Sequence, residues 1–179
     1  SGYLIGRAEE GKLPIDFFSS PEMQEYIGKV NNIRGHAFAF SVADELKKYG
    51  WNARNEVQMT ELGAPPDFGD IDVLAWKTSG EVLLIECKRL LFARTVAEIA
   101  EICRRFRGEE KDELSKHVRR VTWVTEHYMT LKSIIGFIPN PKCIDSRLIT
   151  NTHVPMMYLD SLPIEKEKIV MLSQMLQVQ

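Results

Sequence analysis

The sequence predicts an α/β fold, an α/β/α sandwich with a central mixed sheet. Three observations carry this. Two apolar runs flank a Gly-containing turn at residues 70–76 and 82–88, and read as a β-hairpin. Both hairpin faces are apolar, with Leu74, Trp76 and Leu84 on one and Val73, Ala75, Leu83 and Ile85 on the other, so helices must cover each side. Stretches of helical periodicity stand before and after the hairpin. A chain of 179 residues with 44% hydrophobic content suits one globular domain with a full core.

Taken in order, residues 1–19 are mixed and read as an arm or linker. Ser20-Pro21-Glu22 is a helix start, with an N-cap Ser, Pro in the first position and an acid in the first turn; that helix runs to about Asn32. A second helix spans Gly35–Gly50, with Phe38, Val42, Leu46 and Tyr49 on one face. Glu45 falls inside that stripe, where a charge is out of place. It either reaches solvent from the stripe's edge or serves a site. Trp51–Met59 alternates as a strand, and 60–68 is a Pro-rich loop.

The hairpin follows. With Thr78-Ser79-Gly80 as a three-residue loop, Trp76 faces Val82, Leu74 faces Leu84, Asp72 faces Glu86 and Asp70 faces Lys88. Asp70, Asp72, Glu86 and Lys88 then share one face. A four-residue loop would slip the pairing by one and separate Asp72 from Glu86. Facing carboxylates destabilise a sheet unless a cation sits between them, and Mg²⁺ suits such a pair. The alternative is a frayed, solvated hairpin end in which Lys88 pairs with an acid.

Beyond Lys88, 95–107 is helical with Val96, Ile99, Ala100, Cys103 and Phe106 inward, and a further helix covers 110–128 with Leu114, Val118, Val121 and Tyr128 on one face. Ten basic residues lie between Lys88 and Arg120, interleaved with acids as on a solvated helix face. Arg89 and Arg94 stand apart by their closeness to the carboxylates and are candidate phosphate contacts. Ser133–Ile138 and Met156–Leu159 read as strands with a loop at 139–154 between them, and 163–176 as a closing helix.

Asp72 followed across a hairpin by Glu86-Cys87-Lys88 resembles the PD-(D/E)XK nuclease superfamily, also called restriction-endonuclease-like. The segments 69–75 and 82–88 resemble its second and third core strands, and the likeness covers roughly 35–160. A literal Pro66-Asp67 also precedes Glu86, but Asp72 sits on the strand, as the family's aspartate does. The resemblance implies a restriction-endonuclease-like core over residues 35–179, behind an arm and helix at 1–34. It implies an Mg²⁺-dependent endonuclease acting on DNA, with Mn²⁺ as a substitute. Asp72, Glu86 and the Cys87 carbonyl would hold the metal, Lys88 would act in catalysis, and Asp70 or Glu45 would assist. The family's first helix often carries a metal-binding Glu directly after its Phe; here that position is Ala39. This departure keeps a catalytically impaired nucleic-acid-binding or protein-interaction module open as the alternative.

Other classes are disfavoured. The net charge of −2 gives no global basic signature. Three Cys at irregular spacing argue against a disulfide framework, and the four His show no zinc-finger spacing. With no signal peptide and no apolar stretch of membrane-spanning length, a soluble intracellular protein is expected. The Ser-Gly opening resembles a cleaved tag, so further domains of a longer chain, or a homodimer, are the partners expected besides nucleic acid.

Overall fold

A computed structural model describes residues 20–90, 93, 95–109, 112–159 and 161–175. The expected arm at 1–19 and Arg94 lie outside them. The first element is helix α1, Pro21–Lys48. Ser20 Oγ accepts the Met23 N–H at 3.2 Å, with Pro21 in the first turn, as the sequence predicts. The two expected helices are one, and the boundary expected at 34/35 lies within it. Gly35 costs a helix interior only about 1 kcal/mol, which tertiary packing overrides.

Strand β1 is Asn52–Gln58, β2 Asp70–Trp76 and β3 Val82–Lys88. The hairpin register is the expected one, with Trp76 opposite Val82 and Leu74 opposite Leu84. Lys77 N–H donates to the Glu81 carbonyl at 2.9 Å, and Gly80 takes the left-handed φ of 104° that closes the loop. Two short 3-10 turns, Met59–Leu62 and Pro66–Phe68, fill the Pro-rich loop between β1 and β2.

Helices α2 (Val96–Arg104) and α3 (Glu113–Glu126) follow, then short α4 (Lys132–Ile135). Strand β4 is Ile144–Thr150, β5 Ile169–Met171, and α5 Leu172–Met175. The strands form one mixed sheet in the order β1-β2-β3-β4-β5, antiparallel from β1 to β3 and parallel from β3 to β5. On one face α1 buries Ala39, Val42, Ala43 and Leu46 against Val73, Ala75 and Ile85. On the other, Val124 of α3 with Leu131 and Ile135 covers Ile71, Leu74 and Leu84. This is the expected mixed sheet between helices.

Five expectations in the second half are corrected. Residues 133–138 are not a strand: α4 ends at Gly136, whose φ of +86° caps it. A short apolar run does not distinguish strand from helix, and the cap decides. The fourth strand is instead Ile144–Thr150, inside the expected loop. Residues Pro155–Tyr158 form a 3-10 turn, and the closing helix is replaced by β5 and the one-turn α5. Helix α2 contributes no buried residue, and Val96 is 83% exposed. It rests on the 155–158 turn rather than the sheet, which leaves most of its apolar face uncovered. Phe106, just beyond it, is fully buried as expected.

Candidate active site at the fork of the sheet

The β2–β3 ladder runs from Trp76 opposite Val82 to Val73 opposite Ile85 and stops. Beyond that point β2 stays with β1, pairing Ile71 with Val57 and Asp70 with Gln58. Strand β3 stays with β4, pairing Glu86 with Leu148 and Lys88 with Thr150. The sheet therefore forks. The expected facing pairs Asp72/Glu86 and Asp70/Lys88 are not rungs of the ladder. Two like charges oppose the first pairing. Instead the Asp72 carboxylate enters the fork and accepts the Cys87 N–H at 2.6 Å.

Strict alternation also breaks here. Ile71 and Leu74 pack in one core cluster and Val73 in the other. Across β1, Glu56 is the one non-Gly residue with positive φ among the described residues, at 54°. The expectation that Asp70, Asp72, Glu86 and Lys88 all share one face thus fails at the break.

Glu86 lies at the centre of an ionic cluster and is 4% exposed. Its Oε1 is 2.9 Å from Lys88 Nζ, and its Oε2 accepts from Arg120 Nη1 at 2.8 Å. Lys88 also reaches Glu113 on α3 at 2.9 Å. Arg120 donates through Nε to the Phe68 carbonyl at 2.8 Å. It thereby ties the turn before β2 to Glu86 on β3, across the open fork. Gly69 belongs to this contact: a Cβ there would sit 3.4 Å from Arg120 Nη2. His117 Nδ1 lies 3.8 Å from Glu86 Oε2, and its Nε2 has no hydrogen-bond partner in the structure.

The electrostatics follow from burial and charge. Burial, reinforced by the neighbouring Glu86 charge, pushes the Asp72 carboxyl up to about 7. The Cys87 N–H and Lys88 oppose that shift without cancelling it. Burial works to lower the Lys88 ammonium, but Glu86 and Glu113 outweigh it and the group is raised. Lys88 is therefore a fixed cation near neutrality. Glu113 is lowered: burial opposes ionisation, and Lys88 overcomes it. Burial brings His117 down to about 4, so its imidazole is neutral at pH 7. The Cys87 thiol is pushed well above its ordinary value, again by burial first.

Asp72, Cys87, Lys88 and Glu113 border a cleft of about 750 Å³ between the middle of α1 and helix α2. Arg89 is exposed on its wall beside Lys88. Ala39 faces the same cleft from α1, where the resemblance would place a carboxylate. Glu45 does not line it and pairs with Lys48 at 2.5 Å. Asp70 does not line it either, though its charge adds to the raising of Asp72. Glu56 does line it, and pairs with His36. Asp67 of the literal Pro-Asp is exposed and pairs with Arg119.

The donor set bears on the metal that the resemblance implies. Among the described residues no three His, Cys, Asp or Glu side chains are grouped to hold a metal. Mg²⁺ needs fewer: one or two carboxylates, with water and substrate oxygens completing its shell. Asp72 and Glu86 supply two carboxylates, and the Glu86 charge adds to the cost of ionising Asp72, which is the strain a divalent cation relieves. The Cys87 carbonyl lies on the same strand edge as the N–H that Asp72 accepts, because paired residues of a ladder present both groups to one side. These residues fit Mg²⁺ in its sparsest protein shell. Both Glu86 oxygens are engaged by Lys88 and Arg120, so a metal would compete with a cation already in place.

Sequence reasoning passed over Arg120, Glu113 and His117. A signal was present. His117 falls in the apolar stripe of α3 between Leu114 and Val124, and Glu113 and Arg120 lie one helical turn to either side of it. A polar residue on a buried stripe marks a site to inspect, and His117 Nδ1 lies 3.8 Å from Glu86 Oε2, beyond hydrogen-bond reach.

A family model described as anti-phage protein Upx-like matches residues 1–176. No curated protein and no solved structure matches the chain. No helix among the described residues is long and apolar enough to cross a membrane.

Proposed function

Because the chain belongs to the Upx-like family of anti-phage proteins, we propose that it hydrolyses phosphodiester bonds in DNA, as an Mg²⁺-dependent endonuclease. One observation carries the reading: buried Glu86, half-buried Asp72 and a fixed ammonium come together where the sheet forks, at the edge of an open cleft. Asp72, Glu86 and the Cys87 carbonyl would hold the metal. When bound, it would lower the pKa of a water and polarise a phosphoryl oxygen.

The chain's own residues divide the remaining work. Lys88 stays protonated between Glu86 and Glu113, so it is no general base. It offsets negative charge that builds on the phosphoryl oxygens, where preorganised charge is worth most. Arg120 holds Glu86 in place from the α3 side. Arg89, exposed on the cleft wall, meets flanking phosphates.

The test is incubation of plasmid, linear and single-stranded DNA with Mg²⁺ or Mn²⁺, against a chelator control and the Asp72→Asn protein. Cleavage that needs both metal and Asp72 supports the reading. Intact DNA in every metal condition sinks it. A second reading is a nuclease-fold module without catalysis. The engagement of both Glu86 oxygens by cations, together with Ala39 on the cleft wall, favours it. Mg²⁺ would then leave thermal stability unchanged.

A further inference from the structure

We propose that the outer face of α3, running from the candidate site to His127, is a stacking track for single-stranded nucleic acid. The inference rests on the phosphodiesterase reading for its setting, and it names the substrate class. Four side chains spaced three and four residues apart line this face: Lys116, Arg119, Trp123 and His127. Such spacing places them one above the other along a helix. Lys116, Arg119 and His127 are exposed, and Trp123 is half-buried. Phe68, from the turn before β2, completes the row.

The rings are already stacked. Arg119 lies 3.8 Å over the Phe68 ring. Phe68 meets Trp123 edge to face, with centroids 6.2 Å apart. Trp123 and His127 are parallel within 9°, at 4.2 Å. His127 Nδ1 is fixed on the Trp123 carbonyl at 2.9 Å, which orients its ring. Trp123 and Phe68 cap the core below them, and that explains their burial. It does not explain an exposed imidazole held flat on an indole, or an exposed guanidinium centred 3.8 Å over a phenyl ring. Planar groups of this kind are surfaces on which bases stack without regard to sequence.

The track is continuous with the site. Arg120, next to Arg119, binds Glu86. From Arg120 to His127 is seven residues, about 10 Å of helix at about 1.5 Å each, or about three nucleotides at about 3.4 Å per stacked base. A duplex hides its base faces and cannot use the track. Asp67 belongs to the device too. Its carboxylate pairs with Arg119 and competes with a phosphate for that cation.

The experiment is anisotropy of a short labelled oligonucleotide in chelator, as single-stranded DNA, single-stranded RNA and duplex, so that binding is read without cleavage. Single strands should bind more tightly than duplex, and the DNA and RNA arms assign the sugar. His127→Ala and Arg119→Ala should each weaken single-strand binding by at least about fivefold, the lower end for one stacked base. Arg119→Ala should also reduce the log–log salt slope by about 0.7. Asp67→Asn should tighten binding, a sign that loss of a merely structural ion pair would not produce. Wild-type affinity in His127→Ala and Arg119→Ala, or equal binding of duplex, overturns the proposal. Single-strand binding through these residues without Mg²⁺-dependent cleavage keeps the track and removes the nuclease reading. Absence of any nucleic-acid binding removes both.

Discussion

Replacing Asp72 by Asn should stabilise the metal-free protein at alkaline pH, although the residue sits at the heart of the candidate site. The buried carboxyl titrates near 7 in the fold, against about 3.8 for an ordinary aspartate. Its folded pKa lies above its unfolded one. The fold therefore holds a proton that the unfolded chain releases between about pH 4 and 7, and stability falls as pH rises through that window. The bias is roughly a thousandfold, about 4 kcal/mol at about 1.4 kcal/mol per tenfold. If solvent relaxation leaves half of that, the gain is about 2 kcal/mol, or a melting temperature higher by about 4–8 °C for a chain of this size. The new carboxamide oxygen can still accept the Cys87 N–H that Asp72 accepts at 2.6 Å, so little is lost in exchange. The assay is thermal unfolding of both proteins at pH 5 and pH 8 in chelator, then in Mg²⁺. The Asp72→Asn protein should gain at pH 8 and not at pH 5, and Mg²⁺ should stabilise only the wild type. A lower melting temperature for Asp72→Asn at pH 8 in chelator would refute the strain argument and make Asp72 a structural partner.

Three further outcomes are expected. Lys88→Ala should lower single-turnover cleavage by about a hundredfold or more while changing DNA affinity little; wild-type turnover at saturation would remove its catalytic role. Arg120→Ala should cost about 3 kcal/mol in urea unfolding, the low end for stripping a partner from a buried pair, since Lys88 still compensates Glu86; adding Glu86→Gln should recover part of the loss, and purely additive losses would deny the coupling. Gly108→Ala should destabilise by about 2 kcal/mol or more, because φ there is +82° and a Cβ would overlap the Pro163 ring. Gly28→Ala, inside α1 with open space around it, should instead gain up to about 1 kcal/mol; equal melting temperatures for the two variants would show that the packing at Gly108 yields.

Local chemistry made part of this molecule readable in its sequence. Gly80 takes the only backbone conformation that closes a three-residue loop in register, so the pairing from Val73 to Trp76 followed from the turn. Ser20 and Pro21 marked the start of α1 in the same way. The fork was not readable, because alternation states where side chains point and not where hydrogen bonds stop. The ladder ends where a side-chain oxygen of Asp72 takes the Cys87 N–H, a contact across 15 positions of chain. Arg120 was hidden among ten basic residues, since its partner lies 34 positions away. Strand β5 was hidden because three residues carry no period, and only β4 beside it makes it a strand. Asp72, Glu86 and Lys88 do lie near one another, although not as rungs of one ladder.

The fork also makes the sheet two leaves hinged at Val73 and Ile85. One leaf carries Asp72 and the other carries Glu86, Cys87 and Lys88. Besides the Asp72–Cys87 bond inside the fork, two braces span the leaves, and they differ in kind. Helix α1 lies across β1, β2 and β3 on one side and holds them by apolar contact, with the His36–Glu56 pair added on β1. On the other side the Phe68–Arg120–Glu86 link is ionic. A cation that competed for Glu86 would loosen the second brace and leave the first. The spacing of the leaves at rest is therefore tied to α3, by a guanidinium that lies outside the cleft lining.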